Sequence, residues 1–323
     1  MLSRILAFLL VSSIPIAAPA QTARQEKAMA LPAGVSIEEA TISHAGNLVA
    51  AVCSDHSVRV WSIRSGELLR SLNEAKEPSA VQFSDDERSL AVAYDIRAYE
   101  KGAIKIFDVN SWQARHDFGD GPPVWWLAFS PDSRHLAGGS EFGAYVWDVA
   151  TGKSTNISPP FGGSALAFSP DGTRVATAGP DGFMRIYDPN TGALQSTATL
   201  GTLLETMTLA FSPDGKTLLV GGVDKTIRVI EAASGKISRT IAKQPGLVWS
   251  LDVSPDGKNA VVVYRSAESF LDVNHLERLD LANGAVLTDF KKPGITIHGG
   301  MFVSDHYVFV VASANQLILW SIP

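Results

Sequence analysis

LAFSPDGTRVATAGPDGFMRIYDPNTG, residues 166–192, is divided by three turn signals, Ser-Pro-Asp-Gly, Pro-Asp-Gly and Asn-Thr-Gly, with short apolar runs between them. Runs of β-branched and aromatic residues bounded by Gly, Pro and Asp form strands joined by tight turns. The stretch therefore encodes three strands of a small antiparallel sheet. Such a sheet cannot bury both of its faces alone, so neighbouring copies have to cover it and a repeat architecture is expected.

Copies occur along the whole chain. Their turn serines are Ser43, Ser84, Ser130, Ser169, Ser212, Ser254 and Ser304, spaced by 41, 46, 39, 43, 42 and 50 residues. These spacings suit a four-stranded propeller blade. The third strand of each copy ends on a large or branched residue, as in Trp61-Ser62, Phe107-Asp108, Trp147-Asp148 and Tyr187-Asp188. Seven copies are expected and no second domain fits between them.

The pattern resembles the WD40 repeat family, in an exported, bacterial-type form, from about residue 28 to the end. AFSPDG followed by the Asp181 or Asp224 turn and the strands MRIYD or IRVIE carry the resemblance. The Gly-His pair typical of eukaryotic members is missing, so a complete buried His-to-Asp network is not assumed. The resemblance implies an all-β fold: a seven-bladed β-propeller of four-stranded antiparallel blades. Pro323 follows directly on the third strand of the last copy, so that blade needs a strand from elsewhere. Residues 28–31 are expected to supply it by pairing antiparallel with residues 317–321, which closes the ring with the mature N-terminal strand.

Residues 1–20 read as a signal peptide: Arg4, an apolar run over residues 5–16, and Ala18-Pro19-Ala20 before a cleavage point at Gln21. The domain reading is thus a signal peptide at 1–20, a polar linker at 21–27 and a propeller at 28–323. A periplasmic or secreted location follows from the leader, with no membrane insertion after cleavage; an intracellular adaptor requires the leader reading to be false. The single cysteine, Cys53, excludes an internal disulfide and reads as a buried small side chain. With a net charge of −6 and no basic cluster, nucleic acid is not an expected partner. A monomer is expected.

Residues that would carry chemistry are sparse. None of the seven histidines is spaced to form a zinc site with another His or with Cys, and phosphate loops, calcium loops and nucleophile elbows are missing. No metal, cofactor or catalytic residue is expected. The acids Asp55, Asp181 and Asp224 each stand three residues before the first apolar residue of a third strand, where a carboxylate accepts hydrogen bonds from the turn.

Aligned on the turn serines, the first strands place Glu38, Ser79, Trp125, Ser164, Met207 and Trp249 in one column. The WD40 resemblance puts this column on the top rim, beside loops that contribute Pro180 and Val223. Two longer loops, at residues 94–102 and 265–274, rise on the same side and carry Tyr99, Arg265 and Phe270. An apolar arc on a rigid scaffold suits partner recognition. The expected function is therefore a non-enzymatic scaffold binding a protein or peptide through Trp125, Trp249, Met207, Glu38, Pro180, Val223, Phe270 and Tyr99. The alternative is a small-molecule-binding, hydrolytic or dehydrogenase propeller that uses the channel mouth.

Overall fold

The computed structural model describes residues 24–323 apart from 75, 95–101, 122, 141, 160–164, 202–205, 242–244, 266–274, 291–296, 305–306, 313–315 and 322–323. The leader expected at 1–20 lies outside these residues. Seven four-stranded antiparallel sheets are present. Six blades, not seven, are complete in consecutive strands: blade 1 (37–73), blade 2 (78–121), blade 3 (126–158), blade 4 (165–199), blade 5 (206–241) and blade 6 (247–290). This corrects the expected seven-bladed propeller to six blades built from consecutive strands. The remaining sheet is composite, joining Ile297–Ser304, Tyr307–Ala312 and Gln316–Ser321 to Arg24–Ala30 from the other end of the chain. First strands touch first strands around the circle, and Ile297–Ser304 reaches back to Ile37–Ile42.

The closing strand is longer than expected. Arg24 faces Ser321, Ala28 faces Ile318 and Ala30 faces Gln316, with one irregularity between Gln25 and Lys27. Residues 24–27, assigned above to a linker, therefore belong to the sheet. Met29 and Leu317 are buried with Ile37, Val49, Ala51 and Trp61, so the composite sheet is also sealed against blade 1.

Each described core cluster lies between two adjacent sheets. Second strands are covered on both faces, which explains why Leu48–Cys53 and Ser89–Tyr94 read as continuous apolar runs. Cys53 is 1% exposed, and burial pushes its thiol up from its ordinary value. The Ser-Pro-Asp-Gly turns repeat one hydrogen-bond net. Ser169 donates its hydroxyl to Asp171 at 2.5 Å, Asp171 accepts from the Thr173 N–H, and the Ser169 oxygen accepts from the Arg174 N–H. Gly172 holds φ +70° there, a conformation that a side chain would strain. The Ser169 hydroxyl is the main cause that draws the Asp171 carboxyl down to about 2.

First strands line the axis and leave an edge of backbone donors without a strand partner. Side chains of the neighbouring blade fill part of this need. The Val81 N–H donates to Glu39 Oε2 at 3.1 Å, the Leu251 N–H to Thr208 Oγ1 at 3.2 Å, and the Phe302 N–H to Asp252 Oδ2 at 2.8 Å. Burial raises both carboxyls, Glu39 well above its usual range and Asp252 to about 6, against the opposing pull of these backbone bonds.

Deletion of residues 21–32 removes the closing strand and is expected to lower the melting temperature by many degrees, because backbone hydrogen bonds contribute about 1 kcal/mol each against a marginal total. An unchanged melt would refute the role of that strand. The raised carboxyls set a second expectation. A carboxyl with a higher pKa in the fold than in the unfolded chain contributes stability that is complete below its unfolded value, about 4, and is lost as pH rises through about 6. The depressed Asp171 acts in the opposite sense, but only below about 4. Melting temperature should therefore rise as pH falls from about 7.5 to about 5, and Asp252→Asn should remove much of that gain. A flat wild-type profile across this interval contradicts the assignment.

Candidate functional site: the top rim of the propeller

The top face is the one on which first strands begin and the loops between second and third strands open. The aligned column sits there at a shared irregularity. The ladder jumps from Ile37 to Glu39, from Pro78 to Ala80, from Thr206 to Thr208 and from Val248 to Ser250, so Glu38, Ser79, Met207 and Trp249 are extra, bulged residues. In blade 3 the Trp125 N–H donates to the Gly139 carbonyl, while Trp126 is the residue paired with Gly139. Trp125 thus occupies the same position. A bulge takes one side chain out of the strand's in-and-out alternation and re-aims it. Glu38 is exposed, and Ser79, Trp125, Met207 and Trp249 are half-buried.

Trp249 is held from the side. The Arg265 guanidinium lies 3.2 Å from the centre of its ring, at the end of the second strand of blade 6, directly opposite Leu247. A cation over an indole face is attractive, more so when desolvated. Burial lowers the pKa of Arg265, which marks that desolvation.

The neighbouring loops are braced by an ion pair that recurs in three blades. Asp55 meets Arg59 at 2.6 Å, Asp181 meets Arg185 at 2.5 Å and Asp224 meets Arg228 at 2.6 Å. Each acid also accepts from its own turn, through the N–H groups of Ser57, Phe183 and Thr226. For Asp55, burial alone would raise the carboxyl, but bonds from Arg59 and Ser57 outweigh it and hold the pKa below its ordinary value. The arginine side chains are only 11%, 15% and 16% exposed, so each depends on its acid. The acids were legible as turn residues. Their arginines, four positions on in the strand, were not recognised, although the spacing Asp-x-x-x-Arg is visible in all three copies.

Pro180 and Val223 are half-buried just ahead of these acids. Two aromatics that the sequence reading did not select stand at the same level: Phe142, 37% exposed, and Phe183, 36% exposed with Arg185 stacked 4.9 Å from its ring centre. Their position at hairpin tips beside Gly143 and Gly182 was the available signal. Trp125, Phe142, Pro180, Phe183, Val223, Met207 and Trp249 belong to blades 3 to 6, so one side of the rim is the more apolar. Tyr99, Phe270 and Ser164 lie outside the described residues.

The opposite end of the axis holds a cavity of about 610 Å³. First strands of all the sheets line it, with small residues Ala128, Ala167 and Ala210 on one side and Thr41, Gln82 and Asp252 on the other. These polar groups already bond within the ring: Thr41 donates to Gln82 at 3.0 Å, and Asp252 accepts from Val253 and Phe302. Among the described residues, three side chains come together with metal-ligand geometry: His275, Glu277 and Asp289 of blade 6. No described helix is long and apolar enough to cross a membrane.

The model of the WD domain, G-beta repeat family matches residues 34–62, 113–148, 162–188 and 202–231. The chain carries WD40 repeats. These matches fall on blades 1, 3, 4 and 5 and the outer strand of blade 2; the rest of blade 2, blade 6 and the composite sheet, where loops are longer or turns degenerate, lie outside them. A serine-threonine kinase receptor-associated protein from Dictyostelium discoideum is 28% identical over 133 residues, covering 40% of this chain and 43% of that protein. Eukaryotic translation initiation factor 3 subunit I is 29% identical over 199 residues in Xenopus tropicalis and 28% over 204 in Homo sapiens. Each covers 55% of this chain and 60% of the relative. The chain thus spans about half the length of the curated relatives it matches. The crystal structure of the β-propeller domain of Cps50 (Swd1) from Myceliophteria thermophila superposes with a TM-score of 0.73, covering 89% of this chain and 97% of that one at 13% identity, which is a likeness of fold.

These relatives overturn the expected periplasmic or secreted location. They are eukaryotic proteins named for translation initiation and for association with a kinase receptor, and they point against an exported protein.

The repeated ion pair of the WD40 propeller yields a stability expectation. Asp181→Asn leaves Arg185 without its carboxylate and should cost about 1–3 kcal/mol in urea unfolding, as for a buried charged group losing its partner. A midpoint shift below about 0.3 kcal/mol equivalent would show that the pair is only decorative.

Proposed function

We propose that this WD40 propeller is a non-enzymatic scaffold that binds a protein or peptide segment on its top rim, with Trp125 and Trp249 as anchors. Met207, Pro180, Val223 and Glu38 flank them; Tyr99 and Phe270, which the sequence adds to this set, lie outside the described residues. The observation that carries this reading is the bulge shared by the column. In blades 1, 2, 5 and 6 it turns one side chain out of the alternation that would bury it, Met207 and Trp249 among them, and Trp125 stands at the aligned place in blade 3. Large, stiff aromatics on rigid elements give contact area at little entropic cost, and such residues dominate binding energy where a partner seals them from water.

Supporting groups fit the same purpose. Arg265 fixes one tryptophan in place, and the Asp–Arg pairs brace the loops of blades 4 and 5 that carry Pro180 and Val223. The relatives give support of a coarser kind: one is a subunit of a larger factor and another is receptor-associated, so association with other proteins is what their names describe.

An anchor that fills a partner's pocket contributes about 1.5–3 kcal/mol. Losing two should weaken a micromolar contact by roughly a hundredfold or more. The double variant Trp125→Ala/Trp249→Ala should keep the wild-type circular dichroism spectrum and lose the proteins that tagged wild type captures and cross-links. Equal capture by the folded double variant removes the top rim as the binding surface.

A further inference from the structure

We propose that His275, Glu277 and Asp289 form a binding site for a divalent transition cation of the zinc type on blade 6. Nothing in the top-rim reading uses these residues. His275 Nε2 lies 2.7 Å from Glu277 Oε1 and 3.3 Å from Asp289 Oδ1, and the three atoms are all within 4.8 Å of one another. Nitrogen and oxygen ligands about 2.0–2.1 Å from a tetrahedral zinc sit about 3.3 Å apart, so small side-chain shifts admit the ion. Three protein ligands leave a fourth position for water.

The strand geometry imposes this convergence. His275 and Glu277 are two apart on the third strand and point to one face, while Glu277 and Asp289 are directly opposite each other in the ladder. Two carboxylates placed so repel unless a cation lies between them. The Glu277 side chain is only 10% exposed, which strengthens that demand. Glu277 also accepts from the Tyr264 hydroxyl, and the Tyr264 ring meets His275 edge-on at 5.8 Å. Metal-binding carboxylates and imidazoles are oriented by an outer layer of partners of this kind. In the sequence the site shows only as His-x-Glu on a strand, since Asp289 joins it through pairing.

The test is equilibrium dialysis of the tag-free, EDTA-stripped full chain against micromolar zinc with excess magnesium, read by metal analysis and by melting temperature. One zinc per chain is expected, with a raised melt. His275→Gln and Asp289→Asn should each weaken binding at least about tenfold without changing the melt in EDTA, while His44→Gln, on the exposed His44, should bind as wild type. Sub-stoichiometric binding by wild type, or equal binding by wild type and both blade 6 variants, overturns the site. Should a variant fail to fold, the cobalt form of wild type decides: intense visible bands of a four-coordinate ion support the site, and weak six-coordinate bands or none refute it. None of these outcomes depends on partner capture by the rim.

Discussion

Arg24–Ala30 pairs with Gln316–Ser321, and the ring depends on that ladder. Without it the sheet of Ile297–Ser304, Tyr307–Ala312 and Gln316–Ser321 would have a bare outer edge, and Met29 would leave the cluster it shares with Leu317 and Trp61. Every other blade is held by cores between neighbours, each of which assumes that the next sheet is in place. A circle of weakly self-sufficient sheets propagates any gap, so joining the two chain ends has an effect larger than its few hydrogen bonds.

Closure also produces the two surfaces along the axis. First strands meet as a ring of inner edges, and their free backbone donors draw in acceptors from the adjacent blade: Glu39, Thr208 and Asp252. Two of these are carboxyls pushed up by burial, so satisfying the edge carries an electrostatic strain that the fold tolerates at neutral pH. At the top the same strands enter through bulges. In blades 1, 2, 5 and 6 one irregularity therefore serves two ends: it lets the strand bend into the ring, and it frees one side chain from the in-and-out alternation. The Asp–Arg pairs then hold the adjoining hairpins at fixed height, so the rim is a built surface and not a set of loose loops.

Much of this was legible beforehand because the physics is local. SPDG turns, apolar runs and the acids at Asp55, Asp181 and Asp224 act within a few residues, and the structure places them as turns, buried strands and turn acceptors. The column through Trp125, Met207 and Trp249 was also visible by alignment, but its cause was hidden, since a bulge exists only relative to a partner strand. Arg265 on Trp249 and the meeting of Glu277 with Asp289 were out of reach for the same reason. The exported location failed on different grounds: a short apolar leader is a compositional signal, and the relatives of the repeats point elsewhere.

By itself, the sequence determined a WD40-type ring of small antiparallel sheets and a closing strand drawn from its own beginning, because hydrophobic alternation and turn chemistry repeat with a blade's period. Tertiary structure alone decided that the closing strand reaches back as far as Arg24, that six blades are contiguous while one sheet joins distant parts of the chain, and which side chains leave the core. Those outcomes rest on cross-strand register, and register arises from contacts between segments that the linear order keeps far apart.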